Sequence, residues 1–423
     1  MAGATLTTMN AALKKLYLPR LQSTVNTATV LLSRLERVLK EKSVSGQSAI
    51  VPINLRPSEA IASLGDGDPL PTPQNQTLVE SSVGYNYLYG TIRITHPTIA
   101  ASRNEAGAWT KVISAEMEGL ERDLRNDVNR QLFGYGAGSL GTVKTTQSSG
   151  SGKAIVMNPG HQIKRNMVIQ MFDDPALTGA IELGTLTSGG TAGTGATVAS
   201  VSGDTVNITI TGDQTWEAGD HVMRLGSRGN EMMGLQGIID DASKTSGIGA
   251  FVSTLQGIVR GDYPEWNANV FEGSTPGTGR NITDTLLDDS ILEIEESGEG
   301  NLTCGVTSRT QFRKLAPLMT PERRYSDAME LNGGFKSISW GGIPIFWDAN
   351  CPVDVNGNDM LFWLDENELS IYQLADWNWD DEDGNVLHRN EGYATYDGTL
   401  YYYANMGTTA PDNMGVIRDL SKS

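Results

Sequence analysis

The chain has 423 residues, of which 39% are hydrophobic and 19% charged, a balance typical of a globular protein with two or three domains. This balance excludes a wholly disordered chain and a collagen-like one. No apolar run approaches the roughly 20 residues that a membrane-spanning helix needs, and two cysteines are too few for a disulfide framework or a thiolate zinc cage. The net charge of −18 argues against nucleic-acid binding by the whole surface, because phosphate contacts need concentrated Lys and Arg.

The N-terminal segment is basic, unlike the rest of the chain. Residues 1–43 carry a net charge of +5, and the remainder carries −23. The segment is therefore expected to contact a negatively charged surface, such as the acidic body of a neighbouring copy. The alternative is that its basic residues form a helix face exposed to solvent. Its lysines follow the weakly apolar start, the wrong order for a signal peptide, which predicts synthesis in a cytosol.

Within this segment, residues 26–42 repeat Val and Leu at three- and four-residue spacing, which predicts an amphipathic helix. No Trp or Phe could anchor it at a membrane surface, so packing on protein is the better interpretation.

Two strand-like segments come next. Residues 49–55 alternate Val, Ile and Leu with polar residues, and residues 83–95 alternate through three tyrosines. The segment between them is rich in Pro, Gly, Asp and Gln, which is turn chemistry with too few apolar residues to fold alone. Together they predict a long two-stranded arm with a mobile tip, which must lie on other protein because an isolated hairpin is marginally stable.

The clearest helix follows the arm. Ser102 and Glu105 form a capping box, an apolar stripe then continues for about 30 residues, and Gly134 and Gly136 end it. Such a helix would be about 45 Å long. We interpret it as a structural strut whose apolar stripe is core.

Glycine is concentrated after this helix, with 18 of the 48 glycines in residues 134–229. Short strands are predicted there at 162–173, 197–201, 205–211 and 221–225. The composition favours a small β-rich module inserted into a larger α+β domain. We interpret the glycine runs as flexible connectors, because no phosphate-binding motif is present.

The remainder is predicted to be mixed α+β. Helices are expected at 283–297 and after the capping residue Ser308, and strands at 301–306, 343–347, 360–364 and 369–374. The pair Asp397-Gly398, flanked by Tyr396 and Thr399, predicts a hairpin that closes the chain.

No motif identifies a reaction. Residues 376–383 match the first three ligand positions of a calcium loop, but Asp381 and Leu387 stand where glycine and glutamate are needed, so a solvated acidic loop is the better interpretation. Nucleophile-elbow and kinase signatures are absent, and no carboxylate pair stands out as a glycosidase pair. No metal-ligand spacing connects the four histidines, His96, His161, His221 and His388. The sequence assigns no catalytic, cofactor-binding or metal-ligating residue and no cofactor, and it predicts a protein that is not an enzyme.

Late motifs carry a family resemblance. Residues 339–345 (SWGGIPI) followed by 348–352 (DANCP) resemble a recurring stretch of tailed-phage major capsid proteins, and 369–376 (LSIYQLAD) is similar to the strand that usually follows it. Each motif is weak alone, but the order of basic arm, hairpin, strut helix and late strands is more specific. The chain resembles this family, of the Hong Kong 97 (HK97) type, over nearly its whole length apart from the glycine-rich insert.

The resemblance implies an α+β, HK97-like capsid fold with an inserted small β-rich domain. By position, it implies an N-terminal arm at 1–43, an E-loop β-hairpin at 44–95 and the spine helix of the peripheral (P) domain within 96–137, carried over onto 102–133. It further implies the insert at 138–228, and the axial (A) domain with the remainder of the P domain at 229–423.

The resemblance also implies partners. They are copies of the chain, arranged in hexamers and pentamers, and a portal protein. A decoration protein is left open. Packaged DNA would be contacted only non-specifically, and no membrane is involved. No long helical segment precedes the N-terminal arm, which implies a separate scaffolding protein. A lysine in the E-loop of the family's type member forms an isopeptide crosslink; residues 43–95 contain no lysine, so this crosslink is expected to be absent.

The implied function is that of a major capsid protein. It would self-assemble in the host cytoplasm into the icosahedral shell that encloses the genome of a tailed double-stranded DNA phage, and would reside in the virion. The residues agree, because a hairpin too polar to fold alone and a basic arm on an acidic body bury area only against other copies. Two alternatives stay open: the shell of an encapsulin-like nanocompartment and, more remotely, a hydrolase or carbohydrate-binding protein that uses the β-rich insert.

Overall fold

The computed structural model describes most of the chain after residue 29. The described residues are 30–38, 42–43, 48–66, 69–98, 106–147, 153–172, 181–183, 195–209, 215–244, 252–298, 301–318, 338–381 and 384–422. The predicted capping box of Ser102 and Glu105 lies outside them.

Five α-helices have both ends within the described residues: α1 Val30–Val38, α2 Ala106–Gln131, α3 Leu235–Ile238, α4 Asp284–Ser297 and α5 Arg309–Leu318. The strands of the first half are β1 Lys42–Ser43, β2 Ser48–Arg56, β3 Thr77–Gly84, β4 Asn86–Thr95, β5 Ser139–Thr142, β6 Ala154–Val156, β7 Val168–Phe172, β8 Ile181–Leu183, β9 Ala196–Ser202, β10 Thr205–Thr209 and β11 His221–Arg224. Those of the second half are β12 Thr254–Leu255, β13 Ile258–Val259, β14 Asn269–Phe271, β15 Cys304–Thr307, β16 Ile338–Trp340, β17 Ile343–Trp347, β18 Asp359–Leu364, β19 Leu369–Trp379, β20 His388–Arg389, β21 Thr395–Thr408 and β22 Gly415–Leu420. Short 3-10 helices cover Pro264–Trp266 and Pro411–Asn413.

The predicted strut helix is α2, and it packs on a five-stranded sheet. The strands run in the order β1, β19, β21 and β20, and β4 pairs along β21. Gly90, Ile92 and Ile94 of β4 are buried, and the two isoleucines pack with Met117 and Leu124 of α2. The described part of the apolar stripe is therefore core, as predicted.

Gly90 of β4 is needed for this close approach of helix and sheet. A Cβ atom on Gly90 would lie 2.5 Å from Leu124 Cδ1 and 3.0 Å from Leu120 Cδ1. Leu124 is itself buried and cannot move away freely. We expect G90A to lower the free energy of unfolding by about 1–3 kcal/mol, as measured by denaturant unfolding of the unassembled chain. The control G84A adds a Cβ with nothing within 4 Å, and equal losses for both variants would contradict this account.

The predicted two-stranded arm is present, but its second strand differs from the prediction. The partner of β2 is β3, in register from Ser48 opposite Gly84 to Arg56 opposite Thr77. Residues 83–95, predicted as one strand, instead divide at Tyr85 between β3 and β4. Because β4 pairs with β21 in the sheet under α2, the alternation continues across two different sheets.

A six-stranded mixed sheet forms the second layer, in the order β14, β22, β18, β15, β17 and β16. Strand β18 is buried at every residue, and α4 and α5 cover the sheet through a core that includes Leu287, Ile294 and Leu315. The helix predicted at 283–297 is confirmed, with the Thr283 side chain accepting a hydrogen bond from the Leu286 amide. The amide of Gln311 donates to Ser308 Oγ at 3.3 Å, so Ser308 is the predicted cap of α5.

The predicted closing hairpin at Asp397-Gly398 is wrong. Both residues lie inside the continuous strand β21, opposite Arg93 and Ile92 of β4. Asp397 receives two hydrogen bonds of 2.7 Å from Arg93. Pairing along β4 therefore overrides a local turn signal.

The glycine-rich region forms a separate seven-stranded sheet in which every pair of neighbouring strands is antiparallel. Its order is β5, β11, β7, β9, β10 and β6, with β8 paired to β7. It has its own core of Val, Ile, Met and Trp side chains. The sequence predicts four of its strands, β7, β9, β10 and β11, but not the short strands β5, β6 and β8. Domain boundaries at 138 and 228 stay a prediction.

The predicted solvated acidic loop at 376–383 is wrong in its first half. Asp376 lies inside β19, which runs on to Trp379, and its carboxylate accepts hydrogen bonds from Gln373 Nε2 and the Trp377 amide. Residues 382 and 383 lie outside the described residues.

Candidate assembly surfaces

The arm formed by β2 and β3 is fixed at its base. Ala49 and Val83 are buried against Tyr372 of the sheet. The Ser82 amide donates to the carbonyl oxygen of Gln256 at 2.8 Å. Near the far end of β2, Arg56 Nε lies 2.6 Å from Glu265 Oε1, although both side chains are over 40% exposed. One face of the arm therefore belongs to its own subunit.

The other face and the tip of the arm remain exposed in the single chain. Ile50 and Leu78, on the outward face, are 62% and 68% exposed, and Ile61 and Leu70 in the tip are 88% and 86% exposed. No described residue of 57–66 or 69–76 is buried or belongs to a strand. Exposed apolar residues grouped on one extended element mark a protein contact site.

The N-terminal helix α1, in contrast, is held by its own subunit. Leu31, Leu32 and Leu35 are fully buried in the largest core cluster. The backbone amides of Leu31 and Leu32 donate to Asp348 Oδ2 at 3.3 Å and Asn129 Oδ1 at 3.2 Å. These bonds satisfy donors at the start of a helix, and packing on protein is confirmed for this part of residues 26–42.

A basic residue of α1, Arg34, pairs with an acidic residue of the same chain. Arg34 makes two hydrogen bonds to the carboxylate of Glu366, one of them 2.9 Å long, and Glu366 is buried. Burial alone would lower the pKa of Arg34, but contact with Glu366 raises it. The negative partner expected for the basic segment is, at Arg34, this subunit's own carboxylate.

A buried charge network fixes the end of α2 against the segment after β11. Arg130 Nε lies 3.1 Å from Asp127 Oδ1, and its Nη2 lies 2.5 Å from Glu231 Oε1. Arg224 adds a second cation 3.0 Å from Asp127. Burial raises the pKa of Glu231. It acts in the same sense on Asp127, but Arg130 and Arg224 outweigh it and lower the pKa of that carboxyl.

Four tyrosines form an open aromatic surface on the sheet face opposite α2. Tyr87 and Tyr89 of β4 are 57% and 55% exposed, and Tyr401 and Tyr403 of β21 are half-buried beside them. The Tyr403 ring lies edge-on to Tyr87 at 5.0 Å and stacks with Tyr401 at 5.1 Å. The Tyr403 hydroxyl donates to the Tyr89 hydroxyl at 2.9 Å. We call these four residues the tyrosine surface.

The sequence alone does not reveal the tyrosine surface. The alternation of Tyr85, Tyr87 and Tyr89 predicts a strand, but it does not indicate that Tyr401 and Tyr403 lie beside it. Only the pairing of Tyr87 with Tyr403 across β4 and β21 brings them together, and no local pattern indicates that pairing.

Metal-ligating side chains do not cluster in the described part of the chain. No group of three His, Cys, Asp or Glu residues there could hold a metal ion. Burial raises the pKa of both thiols, Cys304 and Cys351. No described helix is both long and apolar enough to cross a membrane.

Comparisons with known proteins place the fold. No protein-family model matches the chain, and no curated protein matches it significantly. Among solved structures, the capsid of Cyanophage A-1(L) is similar with a TM-score of 0.54 and 12% identity, over 93% of this chain and 93% of that one. The capsid of a GTA particle has a TM-score of 0.47 and 7% identity, over 92% of this chain and 90% of that one. An encapsulin complex from Synechococcus elongatus PCC 7942 has a TM-score of 0.44 and 8% identity, over 92% of this chain and 88% of that one.

The similarity to the cyanophage capsid extends over 93% of both chains. The chain has the HK97-type fold of phage capsid subunits, with a small β domain inserted after its long helix.

Proposed function

We propose that this chain is the major capsid protein of a tailed double-stranded DNA phage and that its copies assemble, as hexamers and pentamers, into the icosahedral shell around the genome. The observation that carries the proposal is the exposed arm. The chain has a capsid fold, and the outward face and tip of its long hairpin expose Ile61, Leu70 and Leu78. A hairpin of two strands is only marginally stable alone, so its exposed apolar side chains indicate burial against another copy.

The charges agree with a container for DNA. The net charge of −18 keeps the subunit from binding the enclosed nucleic acid over its whole surface. The role is structural and needs no reaction. The N-terminal arm, E-loop, P domain and A domain are proposed at the boundaries given above, with assembly in the host cytoplasm, a portal protein and a separate scaffolding protein; a decoration protein is left open.

The test is direct observation of assembly. The chain is expressed in bacteria, alone and with candidate scaffolding proteins from the neighbouring genes, and the fast-sedimenting fraction is imaged by negative-stain electron microscopy. Shells, tubes or hexameric sheets are the expected result. Dispersed monomers under every condition would overturn the proposal and revive the hydrolase or carbohydrate-binding alternative, which glycan binding by the insert would then support.

The contents of native particles separate the two kinds of shell. Packaged DNA in particles isolated from the source would support the phage capsid. Enclosed enzymes in place of DNA would support the encapsulin-like compartment.

A further inference from the structure

The tyrosine surface has the chemistry of a site for proline-rich segments. Its rings present flat apolar faces, and their hydroxyl groups can donate to backbone carbonyls. A polyproline II helix exposes its carbonyl groups and loses little conformational entropy on binding, which is why aromatic surfaces recognise such segments. Tyr87 and Tyr89 are more than half exposed, so the surface is open in the single chain.

A proline-rich segment occurs in the arm tip of the same sequence. Residues 69–73 read Pro-Leu-Pro-Thr-Pro, with a proline at every second position. The segment is outside any helix or strand, and Leu70 is 86% exposed. Proline at this density favours polyproline II conformation.

The tip cannot reach the tyrosine surface of its own chain. Strand β3 connects the two, and its eight residues, Thr77–Gly84, run from the tip to a point two residues before β4. At about 3.4 Å per residue, this extended strand separates them by about 27 Å. Pairing with β2 over the whole of β3 keeps it straight. The proline-rich segment that meets this surface is therefore expected to come from another copy.

We propose that the tyrosine surface of one subunit binds the proline-rich segment 69–73 of a second copy's arm. The inference rests on the proposed function, since it names the surface on which one copy receives the arm of the next. Leu70 would lie against the rings of Tyr87 and Tyr89, and the tyrosine hydroxyls would face the carbonyls of the segment.

Peptide binding to the unassembled full-length chain tests the chemistry. A fluorescein-labelled peptide of residues 66–76 is titrated with the chain and followed by anisotropy. We expect the double variant Tyr87→Ser/Tyr89→Ser to bind it about fivefold or more weakly than wild type. A peptide with alanine at positions 69, 71 and 73 should bind similarly weakly. Tyr393→Ser is the matched control, because Tyr393 is 69% exposed but lies in the loop before β21, far from the surface.

Equal affinity of wild type and the double variant would overturn the inference, as would no binding at all to wild type. A loss of affinity shared by Tyr393→Ser would also overturn it, since the effect would then not belong to this surface.

Crosslinking in assembled particles separates this inference from the proposed function. Copies with Thr72→Cys are mixed with copies with Thr91→Cys, an exposed residue beside Tyr89 on the same strand face, and treated with a short bis-maleimide. Crosslinked dimers are expected for this pair. The control pairs Thr72→Cys with Thr95→Cys, which is four residues, or about 14 Å, beyond Thr91 on β4. It should give at most a tenth as many dimers. Particles that form without the expected dimers would refute the docking site alone, whereas a failure of wild type to form particles would refute the proposed function.

Discussion

Replacing the arm tip, residues 58–76, by the dipeptide Asn-Gly is expected to leave a folded subunit that no longer closes shells. Arg56 and Thr77 are opposite each other in the register of β2 and β3, so the resulting three-residue turn, Pro57-Asn-Gly, can join the two intact strands. The described tip residues include none that is buried. Their removal therefore costs the isolated subunit little, whereas every subunit–subunit contact of the tip is lost.

The loss should be large because a shell multiplies each contact. Many modest interfaces close a lattice together, so weakening one in every subunit lowers the yield of closed particles far more than it lowers subunit stability. We expect at least a tenfold loss of particles in sucrose gradients, with a thermal midpoint close to that of wild type.

Point substitutions show whether the apolar side chains of the tip are responsible. Ile61→Ser/Leu70→Ser should reproduce most of the loss, whereas Leu292→Ser, which removes a 62% exposed leucine from α4, should not. Normal shells from the tip deletion would disprove the assignment of the arm as an assembly element. An unfolded deletion protein would contradict the claim that the tip is independent of the subunit core.

The sequence predicts best those elements whose signals are local. The helix at 283–297 begins with a threonine cap and repeats apolar residues at helical spacing, and the structure places α4 within one residue of it. The strand at 343–347 is reproduced in full as β17. In both cases, the cap or the apolar pattern lies within the element itself.

Prediction fails where pairing between distant segments decides the structure. Asp397-Gly398 has the composition of a hairpin turn, yet β4, some 300 residues earlier, pairs along it and keeps the chain extended. Residues 83–95 read as one strand because the alternation never breaks, although the two halves belong to different sheets. The tyrosine surface is hidden for the same reason, since Tyr89 and Tyr403 meet only after β4 and β21 pair.

The second large effect is expected at Arg130, whose replacement by methionine should lower the free energy of unfolding by about 3–5 kcal/mol. Arg130 is buried between Asp127 and Glu231. Methionine fills much of the volume but leaves Glu231 buried without its close cation. Asp127 keeps Arg224 as a partner, so the cost falls mainly on Glu231. Denaturant unfolding of the unassembled chain measures it.

The deficit should depend on pH in a direction that identifies Glu231. Burial already raises the pKa of Glu231 with Arg130 present, and loss of the cation raises it further. A carboxyl whose folded-state pKa lies above its unfolded value favours folding below the unfolded pKa and loses that contribution as the pH rises through the folded pKa. The R130M variant should therefore approach wild-type stability at pH 5 and fall behind it at pH 8.

Two further variants test this reasoning. Adding Glu231→Gln to R130M removes the uncompensated charge, so the double variant should recover part of the stability at pH 8 and lose most of the pH dependence.

Arg93→Met removes an arginine that makes an equally good pair with Asp397 but is 62% exposed, and solvent already screens such pairs. If R130M and Arg93→Met lowered the free energy of unfolding by the same small amount, burial would not explain the contribution of the Arg130 network to stability. If the R130M deficit were the same at pH 5 and pH 8, an uncompensated Glu231 would not be its cause, and loss of the arginine's packing and hydrogen bonds would account for it instead.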